Sequence, residues 1–469
     1  MSEKCFSRIL LFLIGISALS VFINIFIGYQ AITDDLEHIH ASWLVWNGQV
    51  PYKDFFEHHH PLMWYLFAPI VGMCNRNIMV FFVIRGIMSL VSFATLYVVY
   101  RIIKDFISDR ITGLLAISIY CASFVVQQTL AQFKPDLFMQ LFFMLAVYYF
   151  FRFIRDEKQK DLSLCAAFLT IGFLFLQTII FLALPLGIIG IYLIYTKKIG
   201  LKMLAKAAVI PAVILCSAVM FLYFSGNLER YFQLNWIINS QMQSVVPEKA
   251  TDFSDFYIIF AIGTGCSLFL LCKNRNIYVA TLILCFYAEF LLRAFYFSPV
   301  IYYFKILLLY NSVIISLVLA EIYRKWKLST YVVCLLLLLA NLKFFTFENT
   351  QADKTLTTLN VISLISKNTT QDDYVLNTPF IPLGIFNKDV HYYWFFWHFL
   401  GKLDETLYNY AEPFDINELI KTKKPKLVIY RKYQFSEKMG GKQFEIDENL
   451  LSEYYNKTSM DFLYEIKAK

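Results

Sequence analysis

Between Thr33 and Leu62 the chain places five carboxylates, Asp34, Asp35, Glu37, Asp54 and Glu57, among five histidines, His38, His40, His58, His59 and His60. The rest of the sequence holds only two more histidines, His391 and His398. Carboxylates and imidazoles move protons near neutral pH and ligate divalent cations. Asp34 and His38 are four apart and share a helix face. The stretch follows directly on a long apolar segment. Ionisable groups beside lipid are costly to hold, so function is their default reading. The competing reading of Asp34 and Asp35 is that they are anions favoured at a helix start. For Glu57, His58, His59 and His60 it is hydrogen bonding to loop helices or to a bound headgroup. Consecutive residues on a helix point about 100° apart, so the three histidines would not all reach one cation. A metal site would join one or two of them to an acidic residue from elsewhere. A divalent metal is the one cofactor the residues suggest, and its ligands stay unassigned.

The elements that must position these groups follow from composition. The 469 residues are 58% hydrophobic and 16% charged, where a soluble chain carries about 25% charged residues. This is the composition of an integral membrane protein, with the lipid bilayer as its first partner. The net charge of +7 comes from short basic clusters between apolar segments, as the positive-inside rule expects, and does not imply a nucleic-acid partner. The nine cysteines show neither metal-ligand spacing nor a disulfide framework. The N-terminal apolar run is longer than a signal peptide's and no small-residue cleavage site closes it, so it reads as an uncleaved first span.

A helix needs about 20 residues to cross the hydrocarbon core. About eleven spans are predicted: 8–30, 78–100, 111–128, 137–151, 161–176, 179–195, 207–224, 254–272, 277–292, 301–322 and 328–346. The nearly unbroken apolar run from Leu162 to Tyr195 would measure about 50 Å as one helix, and both its flanks are basic. It therefore reads as two short helices turning at Gln177–Thr178. With alternating spans every basic cluster falls on one side, which the rule makes cytoplasmic together with the N-terminus. Residues 31–77, 129–136, 225–252 and the tail then lie outside. The division is a membrane domain over 1–346 and a soluble extracytoplasmic domain over 347–469. In the tail, Thr355–Lys367 has helical periodicity, and Asp373–Leu376 and Lys426–Tyr430 read as short strands. The fold class is thus an all-α polytopic membrane protein with a small α/β C-terminal domain.

Inside the first outer loop, Asp34–Asn47 reads as a helix, with Thr33 as cap and Gly48 as terminator. Leu36, Ile39, Trp43 and Trp46 give it an apolar stripe suited to the membrane interface. Gly48–Asp54 is a turn, and a second short helix starts near Pro61.

These residues carry a family resemblance. Thr33-Asp34-Asp35, followed by Trp43-Leu44-Val45, Gly48-x-x-Pro51-Tyr52-x-Asp54 and Phe55 through Leu62, resembles the first periplasmic loop of GT-C glycosyltransferases. The branch is that of the protein O-mannosyltransferases, the aminoarabinose transferase of lipid A and the RgtA/B/C/D-like bacterial enzymes. Asp35 stands where that branch usually has Glu, and His60 where it often has Pro. Lys134-Pro135-Asp136 resembles the family's Arg-Pro-Asp. The resemblance implies an inverting transferase that takes a sugar from a polyprenyl phosphate and passes it to a lipid, glycan or protein hydroxyl outside the cytoplasmic membrane. A hydroxyl needs a general base, for which Asp34 is the first candidate and Asp35 the second. The leaving phosphate needs cationic stabilisation; the candidates are Lys134, Arg293, Lys305 and Arg85. Snorkelling at an interface is the plainer reading of these cations. Asp136 either touches substrate or caps its helix, and Glu57, His58 and His59 are candidates for binding the donor headgroup. The aromatic stretch His391–His398 would dock on the membrane, stack on a sugar or fill the tail's own core. A non-enzymatic lipid or polysaccharide carrier is the alternative, but it would place its ionisable groups near mid-membrane and show a repeat.

Overall fold

The computed structural model describes residues 3–28, 32–241, 254–273, 276–295, 304–326, 332–340, 352–377, 382–392, 415–430 and 446–467. They divide into two compact units. One comprises Met1–Gln30, Arg85–Ala218 and Pro247–Ala352; the other comprises Ala31–Ile84, Val219–Val246 and Asp353–Lys469.

The first unit is a helix bundle. Among the described residues each predicted span is helical, including residues 332–340 in the last, apart from one break. Six described helices are long and apolar enough to cross a membrane, and shorter apolar helices accompany them. The chain is an integral membrane protein. The Leu162–Tyr195 run breaks where expected: Gln159–Phe175 ends and Ile179–Tyr195 begins. The third span differs from the expectation. It is interrupted at Ala122–Ser123, giving helices Arg110–Cys121 and Phe124–Thr129. A broken helix leaves carbonyls unsatisfied, and lipid offers them no donor. At the break Gln127 supplies one, its Nε2 donating to the Cys121 carbonyl at 2.8 Å. At the far end of the short second helix Asn24 Nδ2 donates to the carbonyls of Gln127 at 3.1 Å and Gln128 at 3.0 Å. Ser92 Oγ donates to the Leu130 carbonyl at 2.7 Å. Aromatic and aliphatic side chains such as Tyr120, Phe143, Phe151 and Tyr310 fill the bundle's core.

The basic helix ends are paired with acids. Arg324 meets Asp109 at 2.8 Å, Lys198 meets Glu157 at 3.1 Å, Arg152 meets Asp161 at 3.5 Å, and Lys273 pairs with Glu321. Each of these pairs joins residues far apart along the chain or on successive helices, so the basic clusters of the sequence meet at shared helix ends.

The second unit gathers the segment between the first two spans, a segment after the seventh, and the tail. Helices Ile32–Trp46 and Leu62–Met73 lie side by side. Leu36 and Ile39 are fully buried, each contributing about 1.5–3 kcal/mol by leaving water. Gly48, at φ +83°, lets the chain turn out of the first helix. Gly72 has no Cβ where the Trp46 indole lies against it. The tail carries a five-stranded mixed sheet of β1 (Tyr374–Leu376), β2 (Lys388–Asp389), β3 (Leu427–Ile429), β4 (Tyr455–Lys457) and β5 (Leu463–Ile466), in the order β2-β1-β3-β5-β4. β1 is parallel to β2 and β3, whereas β5 is antiparallel to β3 and β4. Helices Ala352–Asn368, Ile416–Lys423 and Glu448–Tyr454 accompany it. The two predicted strands are β1 and β3, and the predicted helix is the first of these three.

Arg76 ties the first-loop segment to the tail. Its guanidinium donates to Thr369 O at 2.6 Å, Thr369 Oγ1 at 2.9 Å and Phe386 O at 3.1 Å. Its own carbonyl accepts from Ser366 Oγ at 2.9 Å. Hydrogen bonds from a charged group contribute about 1.5–3 kcal/mol each. Arg76→Ala should therefore make the tail measurably easier to cleave in limited proteolysis under native conditions; unchanged cleavage rates would contradict the tie.

Candidate functional site

The Ile32–Trp46 helix presents its polar residues inward. Asp34 is half-buried in the first turn, and Asp35, Glu37, His38 and His40 are buried. His40 is placed by the tail. Nδ1 lies 2.8 Å from the Ile385 carbonyl and Nε2 2.8 Å from the Asp389 carboxylate. A carbonyl only accepts, so facing a carboxylate on the other side suits a ring that carries both protons. Burial works against that charge, but Asp389 and the Ile385 carbonyl outweigh it and raise the His40 pKa.

Pro51 to His60 is not helical; it is a turn followed by irregular chain with a bend at His59, and the helix starts only at Leu62. The 100° argument against shared ligation therefore does not apply to His58–His60. The segment is braced from several sides. Tyr52 adopts φ +68°, uncommon for a side chain of its size. Its hydroxyl donates to the His59 carbonyl, and Tyr392 donates to the Tyr52 carbonyl. Phe56 N–H donates to Tyr392 O at 2.9 Å. Asn235 and Asn239, four apart on the 219–246 segment, donate to the carbonyls of His59 at 3.1 Å and His58 at 2.7 Å. The Tyr231 hydroxyl lies 3.4 Å from His60 Nδ1.

The braced loop carries Glu57 and His59 up to Glu37 and His38. One ligand-type atom from each of these four lies within 4.8 Å of the others, a set able to hold a metal ion. His59 Nδ1 lies 3.3 Å from Glu57 Oε2, and the Trp64 indole donates to His38 Nδ1 at 3.3 Å. Burial raises Glu57 to about 8, opposed by the His58 and His59 backbone amides, the His40 charge and a hydrogen bond with Glu37. Burial also holds His58 well below the usual histidine value and takes His60 down to about 3.

At the edge of the tail's described residues, burial and then the Lys423 charge lower His391 to about 4. A histidine depressed in the fold stays neutral there while the unfolded chain takes up a proton near pH 6.5. Its stabilising share is present above that pH and is lost as pH falls toward 4. Unfolding midpoints should drop across that window, and His391→Gln should flatten the drop; equal slopes would contradict it. Residues 393–398 of the aromatic stretch lie outside the described residues.

In the helix bundle, Lys134 occupies the N-cap position of the Pro135–Asp156 helix, with Asp136 in its first turn; both are buried. Arg293 and Glu289, one turn apart, form a buried ion pair at 2.6 Å. Asp136 is near enough for its charge to act on Glu289. Lys305 is fully buried at the start of the Phe304–Lys325 helix. Arg85 donates to the carbonyls of Gly28 at 2.7 Å and Asn24 at 3.2 Å, so its guanidinium answers the C-terminal end of the first span. Residues 296–303, between Arg293 and Lys305, lie outside the described residues.

Several participants escaped the sequence reading. Glu289 left a signal, an acid inside an apolar span four residues before an arginine. The spacing of Asn235 and Asn239 was a weaker one. Asp389 gave none, because its partner His40 is nearly 350 residues away.

The fold, a polytopic helix bundle with an α/β tail, is shared with solved structures of other proteins. Residues 59–223 match the family model described as dolichyl-phosphate-mannose-protein mannosyltransferase. Apo ArnT from Cupriavidus metallidurans superposes with a TM-score of 0.58 at 10% identity, over 81% of this chain and 84% of that one. The same protein bound to undecaprenyl phosphate gives 0.52 at 12% identity, over 76% and 72%. The apo oligosaccharyltransferase of Archaeoglobus fulgidus gives 0.52 at 13% identity, over 95% and 72%. At these identities the likeness establishes the fold. No curated protein sequence matches the chain.

Proposed function

We propose that the protein is an inverting glycosyltransferase of the cytoplasmic membrane. It takes a sugar from a polyprenyl-phosphate donor and passes it to a hydroxyl of a lipid, glycan or protein on the outer face. The observation that carries this reading is a half-buried carboxylate, Asp34, in the first turn of an outer-loop helix lined with buried acids and histidines, on a GT-C fold. The ArnT structure with undecaprenyl phosphate supports the choice of a polyprenyl-phosphate carrier.

In the reaction the acceptor oxygen forms a bond to the sugar's C1 while the bond from C1 to the phosphate oxygen breaks. The hydroxyl proton goes to Asp34, with Asp35 as the second candidate, and the bonding pair leaves with the lipid phosphate. One displacement inverts C1. Phosphate is a good leaving group whose charge wants fixed cations more than a proton; Lys134, Arg293 and Lys305 are assigned this task. Arg85 is a weaker candidate because two backbone carbonyls already engage it. Asp136 is assigned to orienting the Lys134 turn. Glu57, His58 and His59 are assigned to the donor headgroup side of the loop.

The test is transfer of label from a panel of polyprenyl-phosphate sugars to acceptors in isolated membranes containing the protein, with the anomeric configuration of the product read by NMR. Transfer with inversion is expected. Movement of labelled lipid between leaflets without a new glycosidic bond would overturn the reading in favour of a carrier.

A further inference from the structure

The four-residue cluster in the outer-loop unit carries an inference about binding that does not depend on sugar transfer. We propose that Glu37, His38, Glu57 and His59 form a binding site for one divalent first-row transition cation, Zn²⁺ foremost.

The donor set argues for the class of ion. Two imidazoles and two carboxylates suit borderline cations such as Zn²⁺ better than the all-oxygen shells of Mg²⁺ or Ca²⁺. Charge argues the same way. With both glutamates ionised on binding, their two negative charges are what one dication cancels, and burying such acids without compensation is expensive. Size fits as well. Bonds of about 2.0–2.1 Å in a tetrahedral shell put donors about 3.4 Å apart. The four atoms lie within 4.8 Å of one another, so rotamer adjustments of about an ångström close the shell. Glu37 and His38 are adjacent on the helix, and the longer reach of the glutamate brings its carboxylate round to the ring.

The surroundings behave like an outer shell. Metal ligands are held in place by the partners of their own residues. Tyr52 and Asn235 both donate to the His59 carbonyl, and Asn239 donates to its neighbour His58. Trp64 gives the site a reporter. Its indole N–H donates to His38 Nδ1. Ligation through Nδ1 takes that lone pair, and ligation through Nε2 moves the ring proton onto Nδ1. Either way the indole loses its acceptor when the ion enters.

The test uses the full chain in detergent, stripped with a chelator and desalted, then loaded with Zn²⁺ or Co²⁺. One ion per chain should survive desalting. Co²⁺ should give the visible d–d bands of a four-coordinate site. Glu57→Gln and His59→Gln should each weaken binding by about 100-fold or more, since even outer-shell changes cost 10–100-fold. Tryptophan emission should change on loading in the wild type, and this change should shrink in Trp64→Phe, which keeps all four ligands. Zn²⁺ should raise the unfolding temperature of the wild type and not that of the two ligand variants. Loss of the ion on desalting, or a six-coordinate aqua-like Co²⁺ spectrum, would overturn the proposal on the wild type alone, whatever the variants' folding. Equal affinity in wild type and both ligand variants would also overturn it.

Discussion

Asp34→Asn should lower sugar transfer by about 10²–10⁴-fold, the share a positioned general base supplies. The substitution keeps size and hydrogen-bonding shape and removes only the ability to take the acceptor's proton. The loss should therefore fall in kcat with little change in KM. Expression and detergent stability should stay close to wild type, because Asp34 is half-buried. Asp35 differs: it is fully buried one residue further into the same turn. Asp35→Asn should act first on folding yield. Transfer assays on matched amounts of the two variants separate the assignments. Full activity in Asp34→Asn together with a kcat collapse in Asp35→Asn would move the base by one residue.

The second large effect is expected in the bundle. Glu289→Leu should destabilise the protein by about 3–5 kcal/mol, because it removes the carboxylate facing a buried arginine charge. Glu289→Leu combined with Arg293→Met should recover most of that loss, since an apolar pair of similar volume replaces two costly ions. Thermal unfolding in detergent micelles measures both. A double variant no more stable than the single one would show that Arg293 does not depend on Glu289. Transfer by the recovered double variant then tests the phosphate role of Arg293 separately: a stable but inactive protein is the expected result.

Much of the fold was legible because the bilayer imposes so simple a rule. A span must be apolar for about 20 residues, so the positions of the helices, and the turn at Gln177–Thr178, could be counted off the chain. The break at Ala122–Ser123 could not. No proline or glycine marks it; the Gln127 side chain answers the Cys121 carbonyl at the break, and Asn24, about a hundred residues earlier, answers carbonyls at the far end of the short helix that follows. In the tail, β1 and β3 were readable as short apolar runs bounded by Pro and Asn, whereas β2, with two residues, was too short to leave a pattern.

For the candidate site, the residue types alone established that acids and histidines crowd the segment after the first span, and helical spacing put Asp34, Asp35 and His38 on one element. Which of them meet was decided by tertiary structure. His58–His60 are not helical, and Glu57 and His59 reach Glu37 and His38, while His40 turns to Ile385 and Asp389 in the tail. The physical reason is range. Periodicity and capping act over a few residues and are written locally, whereas the convergence of ligands depends on hydrogen bonds from Asn235, Asn239 and Tyr392, whose spacing from the loop along the chain carries no signal.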